Sequence, residues 1–477
     1  MNLLDSSFVC FVYPFAFDDE SFERRLEAID AAPGPGGGEF WHKRRFPVDE
    51  FLPHVARYLN PRDNTPATAA AWQLDGNALQ SLRGLGAGAH NRNVRWTMSY
   101  NKKEIEFRIA KAELALFRVG VGCLSITASP AEMDADTWHD FLHYFRFCRG
   151  QRGVKIGCTK RVGKASGGAA ELQPFFPEVA GGLNGHADGR GTLQDILHGL
   201  LKVGELESDG GPWWRETFVA GQLIPFAGLL YEGVEKDDLA AVVYRARNFF
   251  HARQEIHLTE SDLALTGPSL HPYSERQWFT FSLEGTAFVA INPPDTAFFR
   301  ETLPNHLATQ YYLLFLLVLH QRFALIELSD EVASHWLTRQ ETSSSRVRDR
   351  AFQRMYQKML AFTARGHFAQ VAQREHHHRC YTKWQESFEI DALYREVNDE
   401  VRDMHDFLQS QQARRLEQRI NLLAVLFGVP GLIVGFLGIN LYGVTSGAEG
   451  MNLWVAMSVT FAVGLGVGAL LLTKMRP

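Results

Sequence analysis

Two unbroken apolar runs near the C-terminal end stand out from a sequence that elsewhere alternates apolar and polar positions. From Ile420 to Ile439 only Asn421 is polar, and from Leu453 to Leu472 the hydroxyls of Ser458 and Thr460 are the only polar groups. Each run has the roughly 20 residues a helix needs to cross a hydrocarbon layer. The connection Asn440–Asn452 is too short to form a domain, so the pattern predicts a membrane hairpin that returns to its starting side. Arg414, Arg415 and Arg419 precede the first run, Lys474 and Arg476 follow the second, and the connection carries only Glu449. Positive flanks stay inside. Both termini are therefore expected in the cytoplasm, with the hairpin in the cell (inner) membrane. A third apolar stretch, Tyr311–Leu319, is cut short by His320-Gln321-Arg322 and is expected to be a buried helix.

The rest of the chain reads as an α+β cytosolic domain. Phe8–Phe15, Val94–Tyr100, Ile105–Ile109 and Leu114–Thr127 have the aromatic and β-branched content of strands. Helices are expected near Asp19–Ala31, Asp134–Cys148, Thr192–Val203 and Asp237–His251, with a chain break at Pro33–Gly38. A hairpin is expected at Gln277–Leu283 and Thr286–Ile291, turning at Glu284-Gly285. The order strand pair, proline, helix occurs near 114–148 and again near 277–325, which hints at two related subdomains. After Asn305 the pattern is helical: Leu307–Arg339, a break at Glu341–Ser345, then Val347–Cys380. A last helix starts near Glu389 and meets no breaker before Gly428, so it continues into the first apolar run. From Asp391 to Ile439 it would be about 74 Å long. The expected segments are thus 1–304, a helical hairpin at 305–384, a stalk helix at 385–419 and a transmembrane hairpin at 420–477.

One face of the last helix collects Asn421, Ala424, Gly428, Gly431, Gly435 and Gly438 at alternating spacings of three and four. Glycine costs a helix about 1 kcal/mol relative to alanine, so four on one face imply close packing or a lumen. Continued backwards, that register meets Glu417, Arg414 and Ser410, then Asp403, Glu400 and Glu396, a largely acidic side able to attract cations. Leu393, Val397, Val401, Met404 and Leu408 form a separate aliphatic stripe. One hairpin cannot enclose a water path, so a channel would need several copies.

Charge and chemistry narrow the picture further. A formal net charge of −5 gives no basic excess, so nucleic acid is not an expected partner. The five cysteines form no CxxC pair and read as free thiols. Met1–Asp5 opens no basic-then-apolar leader. No nucleophile elbow, Ser-His-acid order or metallohydrolase signature occurs, so neither an enzyme nor a resident cofactor is expected. Glu375-His376-His377-His378-Arg379-Cys380 reads as a polar helix end, since consecutive histidines on a helix point apart. Arg146, Arg149, Arg152 and Lys155 lie in a basic, glycine-containing stretch that could cradle a phosphate.

Gly438-Ile439-Asn440, following a stalk such as Tyr394–Leu423, resembles the CorA family of two-helix metal-ion transporters. That family usually has Gly-Met-Asn here, and its zinc-transporting ZntB branch accepts isoleucine. The resemblance implies a homopentameric, funnel-shaped channel or transporter with a ring of Asn440 at the outer mouth. It implies passage of hydrated divalent cations, Mg²⁺ or Zn²⁺, and itself, the bilayer and those ions as partners. Pro430 sits one residue closer to Asn440 than usual, and the outer loop lacks the usual acidic cluster. The second Gly-Met-Asn, Gly450-Met451-Asn452, reads as coincidence. The cytosolic part is also enlarged, as in CorA-like proteins encoded with antiviral CRISPR systems. The alternative reading is accordingly a membrane effector gated by a nucleotide second messenger.

Overall fold

The computed structural model describes residues 1–34, 38–62, 65–76, 94–162, 171–175, 190–206, 210–338, 345–444, 458, 462 and 466. They fall into two units, Met1–Thr338 with Gln357–Asn398, and Arg339–Tyr356 with Asp399–Pro477.

The first unit is α+β, built on one sheet of fifteen described strands. In chain order these are β1 Asn2–Leu3, β2 Phe8–Phe17, β3 Trp41–Arg44, β4 Ala69–Leu74, β5 Val94–Tyr100, β6 Lys103–Phe117, β7 Val121–Pro130 and β8 Lys155–Val162. There follow β9 Glu171–Phe175, β10 Arg190–Gly191, β11 Trp214–Glu216, β12 Ile224–Glu232, β13 Leu270–Ser274, β14 Gln277–Ser282 and β15 Gly285–Ile291. The main path runs β10-β8-β5-β6-β7-β2-β12-β15-β14-β13.

Helices cover both faces of this sheet, and strand parity shows how. Phe11, Tyr13 and Phe15 of β2, with Ala227, Leu229 and Tyr231 of β12, share a core cluster with Phe141 and Phe145 of α3 (Ala135–Phe145) and Leu197 of α4 (Leu193–Lys202). The same cluster takes in Phe22 of α1 (Phe22–Asp30) and Val243 of α5 (Leu239–Asn248). Phe226 points the other way, to Tyr312 and Phe315 of α6 (Tyr312–Thr338) and Trp384 of α8 (Glu375–Ser387). A strand buried on both faces needs apolar residues at every position, and FVCFVYPFAF supplies them. β12 obeys the same rule. Its Pro225 and Gly228 and its lack of alternation leave it without a strand signature in the sequence.

Close cross-strand packing explains Gly122 on β7, which pairs with Phe15 of β2 and Leu116 of β6. A Cβ there would lie 2.2 Å from Cζ of the fully buried Phe15 ring. Gly122→Ala should lower unfolding free energy by about 1–3 kcal/mol, the usual cost of overpacking. A thermal melt unchanged from wild type would count against this account.

Where the expectation was two strands, Ile105–Ile109 and a longer one from Leu114, a single β6 reaches Phe117 and turns at Arg118–Gly120. A register shift between Ile109 and Lys111 accounts for the difference. Ile105, Phe107 and Ile109 are buried before it, Ala112, Leu114 and Leu116 after it. One extra residue in a bulge switches the buried parity from odd to even without ending the strand. The two similar blocks join the sheet in opposite senses: β7 is antiparallel to β2, whereas β15 is parallel to β12.

The chain is helical from Phe298, with wider turns at Phe298–Thr302 and Leu307–Tyr311 before α6. Phe298–Ser334 is long and apolar enough to cross a membrane, but the 18-residue apolar stretch within it is 83 % buried inside the unit. Tyr311–Leu319 exposes at most 9 % of any residue. It is a core helix. Its polar break is also internal: Gln321 donates to the Gly366 carbonyl and the Tyr381 hydroxyl, and His320 bonds Tyr58.

The expected single helix Val347–Cys380 is instead α7 (Ser345–Arg365) and α8, parted at Gly366. The connecting segment pairs with the start of α2 (Pro53–Leu59): Leu52 N–H donates to Val371 O at 2.8 Å, and Phe51 bridges Ala372. A long-range bridge of this kind leaves no local trace beyond the glycine.

Candidate functional site

The stalk and the first apolar run form one helix, α9, Ile390–Val444, of 55 residues. In the first unit it begins with Ile390 and Val397 buried; in the second, Val401 and Leu408 are buried, with Leu393 and Met404 half-buried along the same stripe. Glu396, Asp403 and Glu417 are exposed and Glu400 is half-buried. The acidic and aliphatic faces read from the sequence are therefore physically distinct. In the second unit Tyr356 of α7 stacks on His405 at 4.5 Å.

From Ile420 the described side chains of α9 are mostly exposed, with Val425 and Leu426 half-buried. Ile420 is 55 % and Phe427 69 % exposed, with Leu422 and Leu423 also exposed. Asn421, Ala424, Gly428, Gly431 and Gly435 are exposed as well. A Cβ on any of those three glycines would meet nothing within 4 Å. Gly438, Ile439 and Asn440 continue the helix; their side chains lie outside the described residues. Of the second apolar run only Ser458, Ala462 and Gly466 are described, helical and exposed at a spacing of four. Glu449, the second Gly-Met-Asn and the expected break at Glu341–Ser344 lie outside the described residues.

Arg146, just past α3, and Arg152, in the turn Gln151–Gly153, meet over one ring, whereas Arg149 turns to a partner of its own. The stretch continues as β8, beginning at the exposed Lys155. Arg146 pairs with Glu284 and lies over the Phe147 ring at 5.2 Å. Arg149 pairs with Glu216, which also accepts from Tyr13 Oη at 3.1 Å. Arg152 lies 4.5 Å over the same Phe147 ring and donates to His143 Nε2. His143 Nδ1 lies 2.8 Å from the Phe249 carbonyl. A ring accepting from a guanidinium and donating to a carbonyl must be neutral. Burial, with Arg146, Arg152 and His251 nearby, pushes its pKa down to about 4.

The three histidines of α8 diverge. His376 faces the Tyr273 ring, and His377 Nδ1 is 3.2 Å from Glu50 Oε2. Among the described residues no group of three or more His, Cys, Asp or Glu could hold a metal ion. Cys10, Cys123, Cys148 and Cys380 are buried free thiols whose pKa burial raises.

Sequence reasoning missed a cavity of about 820 Å³ between α2 with the strand-bound segment after it and the α7–α8 connection. Arg57, Arg62, His54 and His367 lie in its wall together with Tyr58 and Phe368, and among the described residues its lining contains no Asp or Glu. The only local signal was His54, Arg57 and Tyr58 at spacings of three and four along α2.

Compared with known proteins, the chain matches no family model and none of the curated proteins.

Proposed function

We propose that this chain is a CorA-like membrane protein with two transmembrane helices. It assembles with copies of itself, and α9 walls a passage for divalent cations such as Mg²⁺ or Zn²⁺. The observation that carries the reading is the uncovered apolar length of α9. Ile420, Leu422, Leu423 and Phe427 are exposed around the helix, and leaving each such side chain in water forfeits about 1.5–3 kcal/mol. A bilayer removes that cost, and positive residues at Arg414, Arg415 and Arg419 suit its cytoplasmic surface. The open glycine face then meets either a neighbouring copy or a lumen. Asn440 in a ring would offer carbonyl oxygens to a hydrated ion, which suits Mg²⁺ because it dehydrates reluctantly.

Purified chain reconstituted in liposomes should admit Mg²⁺, read by an entrapped indicator, and Asn440→Leu should cut the initial rate at least tenfold. Equal rates in the two proteins, or a chain washed off membranes by alkaline carbonate, would reject the proposal. A second reading, an effector opened by a cytosolic nucleotide, draws support from the basic cavity, whose wall touches the first turns of α9 in the first unit. It requires flux or toxicity only when the ligand is supplied.

A further inference from the structure

We infer that the cavity between α2 and the α7–α8 connection binds a small aromatic phosphate. The site goes beyond the transport reading and holds whether or not α9 conducts ions.

Size and charge both point this way. About 820 Å³ lies within the range of small-molecule sites. Arg57 and Arg62 are exposed and, among the described residues, neither has an ion-pair or hydrogen-bond partner. Other arginines of this unit are spent on carboxylates, as with Arg146 on Glu284, Arg149 on Glu216 and Arg247 on Asp262. Two guanidinium forks facing one cavity, with no carboxylate among its described lining residues, match a dianion that accepts from both. A single carboxylate would engage one fork and leave the other unused. Phosphate is the better fit.

The aromatic half of the ligand follows from the rings where the two walls meet. Phe368 is packed edge-on against Tyr58 at 5.4 Å, and the His54 ring lies 5.7 Å from it. Tyr58 is itself held by His320 at 3.0 Å, and the Leu52–Val371 bond clamps the two walls together at one edge. These rings are fixed before a ligand arrives, so a planar group can stack or pack edge-on without ordering them.

His367 ties the site to α9. Its ring stacks on Tyr394 at 4.5 Å, and its Nε2 lies 3.9 Å from an Asp391 carboxylate oxygen, beyond hydrogen-bond reach. Nε2 is buried and makes no hydrogen bond. The ring that lines the cavity on one side stacks on α9 on the other, so a ligand packed against it holds that contact in place. Occupancy therefore steadies the first turns of α9.

The test uses the full chain in detergent, titrated by calorimetry with adenosine monophosphate and with phenyl phosphate. Adenosine and inorganic phosphate are the single-feature controls. At least one of the two aromatic phosphates should saturate a single site, at least tenfold tighter than its dephosphorylated form and than inorganic phosphate. The double variant Arg57→Gln, Arg62→Gln should lose tenfold or more in affinity with an unchanged melting temperature. Phe368→Leu should weaken the aromatic ligands while sparing inorganic phosphate. Hydrogen exchange in 390–398 should slow on binding. No saturable binding of either aromatic phosphate, or equal affinity in the double arginine variant, overturns the site. Asn440→Leu should bind as wild type, so a failed flux experiment and a failed binding experiment remain separate results.

Discussion

Lowering the pH from 7 to 4.5 should destabilise the first unit steeply, by about 4 kcal/mol per pH unit once below pH 6. Three buried histidines carry this effect. Burial, with Arg245 adding to it, holds His139 down to about 3; burial and neighbouring cations hold His143 at about 4; burial alone holds His320 at about 3. In the unfolded chain each titrates near 6.5. Between about pH 6 and pH 4.5 the unfolded state therefore binds three more protons than the folded one, and stability falls as pH falls. Each proton contributes about 1.4 kcal/mol per pH unit. Over that interval the loss approaches the 5–15 kcal/mol that holds a typical domain together. Urea melts followed by tryptophan fluorescence at pH 7, 6 and 5 measure it directly. His143→Gln should reduce the slope by about a third, since the amide can still donate to Phe249 and accept from Arg152 but takes up no proton. A urea midpoint that stays constant from pH 7 to 5 would show that these rings are not neutral in the fold.

Trp384→Ala should cost about 3–5 kcal/mol, the range for deleting a large core ring. The side chain is 1 % exposed and sits where α8 meets α6 and the sheet. Phe281 and Phe315 approach it at 5.8 and 5.7 Å, and Phe226 and Phe279 at 6.3 and 6.2 Å. Its Nε1 donates to Thr286 Oγ1 at 3.1 Å. Four rings around one vacancy cannot all move inward, so the cavity persists. Trp384→Phe keeps most of the packing and loses the hydrogen bond, which should cost nearer 1 kcal/mol. Equal urea midpoints for the alanine variant and wild type would remove Trp384 from the list of residues that join helix layer to sheet.

Several elements were legible because their causes are local. The hairpin Gln277–Ser282 and Gly285–Ile291, the helix Ala135–Phe145 with its Asp134 cap, and the continuity of α9 through Gly428 all follow from periodicity and punctuation over a few turns. The aliphatic stripe of the stalk was equally plain, because side chains three and four apart must share a face. β12 was not legible, since two-sided burial erases alternation. Nor was the parting of α7 from α8, which depends on a bridge between Phe51 and Ala372.

The arginines divide along the same line. Arg146, Arg149 and Arg152 announce themselves by clustering in sequence, yet Glu284 reaches Arg146 from the β14–β15 turn and Glu216 reaches Arg149 from β11, both far along the chain. Arg57 and Arg62 look unremarkable in sequence, and only the fold brings Phe368 and His367 opposite them.

By itself the sequence determined the two apolar runs, their positive flanks, the glycine face and the α+β character of what precedes them. Each is a property of composition and spacing along one segment, and needs no partner to exist. The tertiary structure alone decided that Arg146 and Arg149 are paired, and that a basic, aromatic-walled cavity lies between α2 and the α7–α8 connection. Those outcomes depend on which distant residues arrive beside each other, and burial or charge pairing is settled only on their arrival.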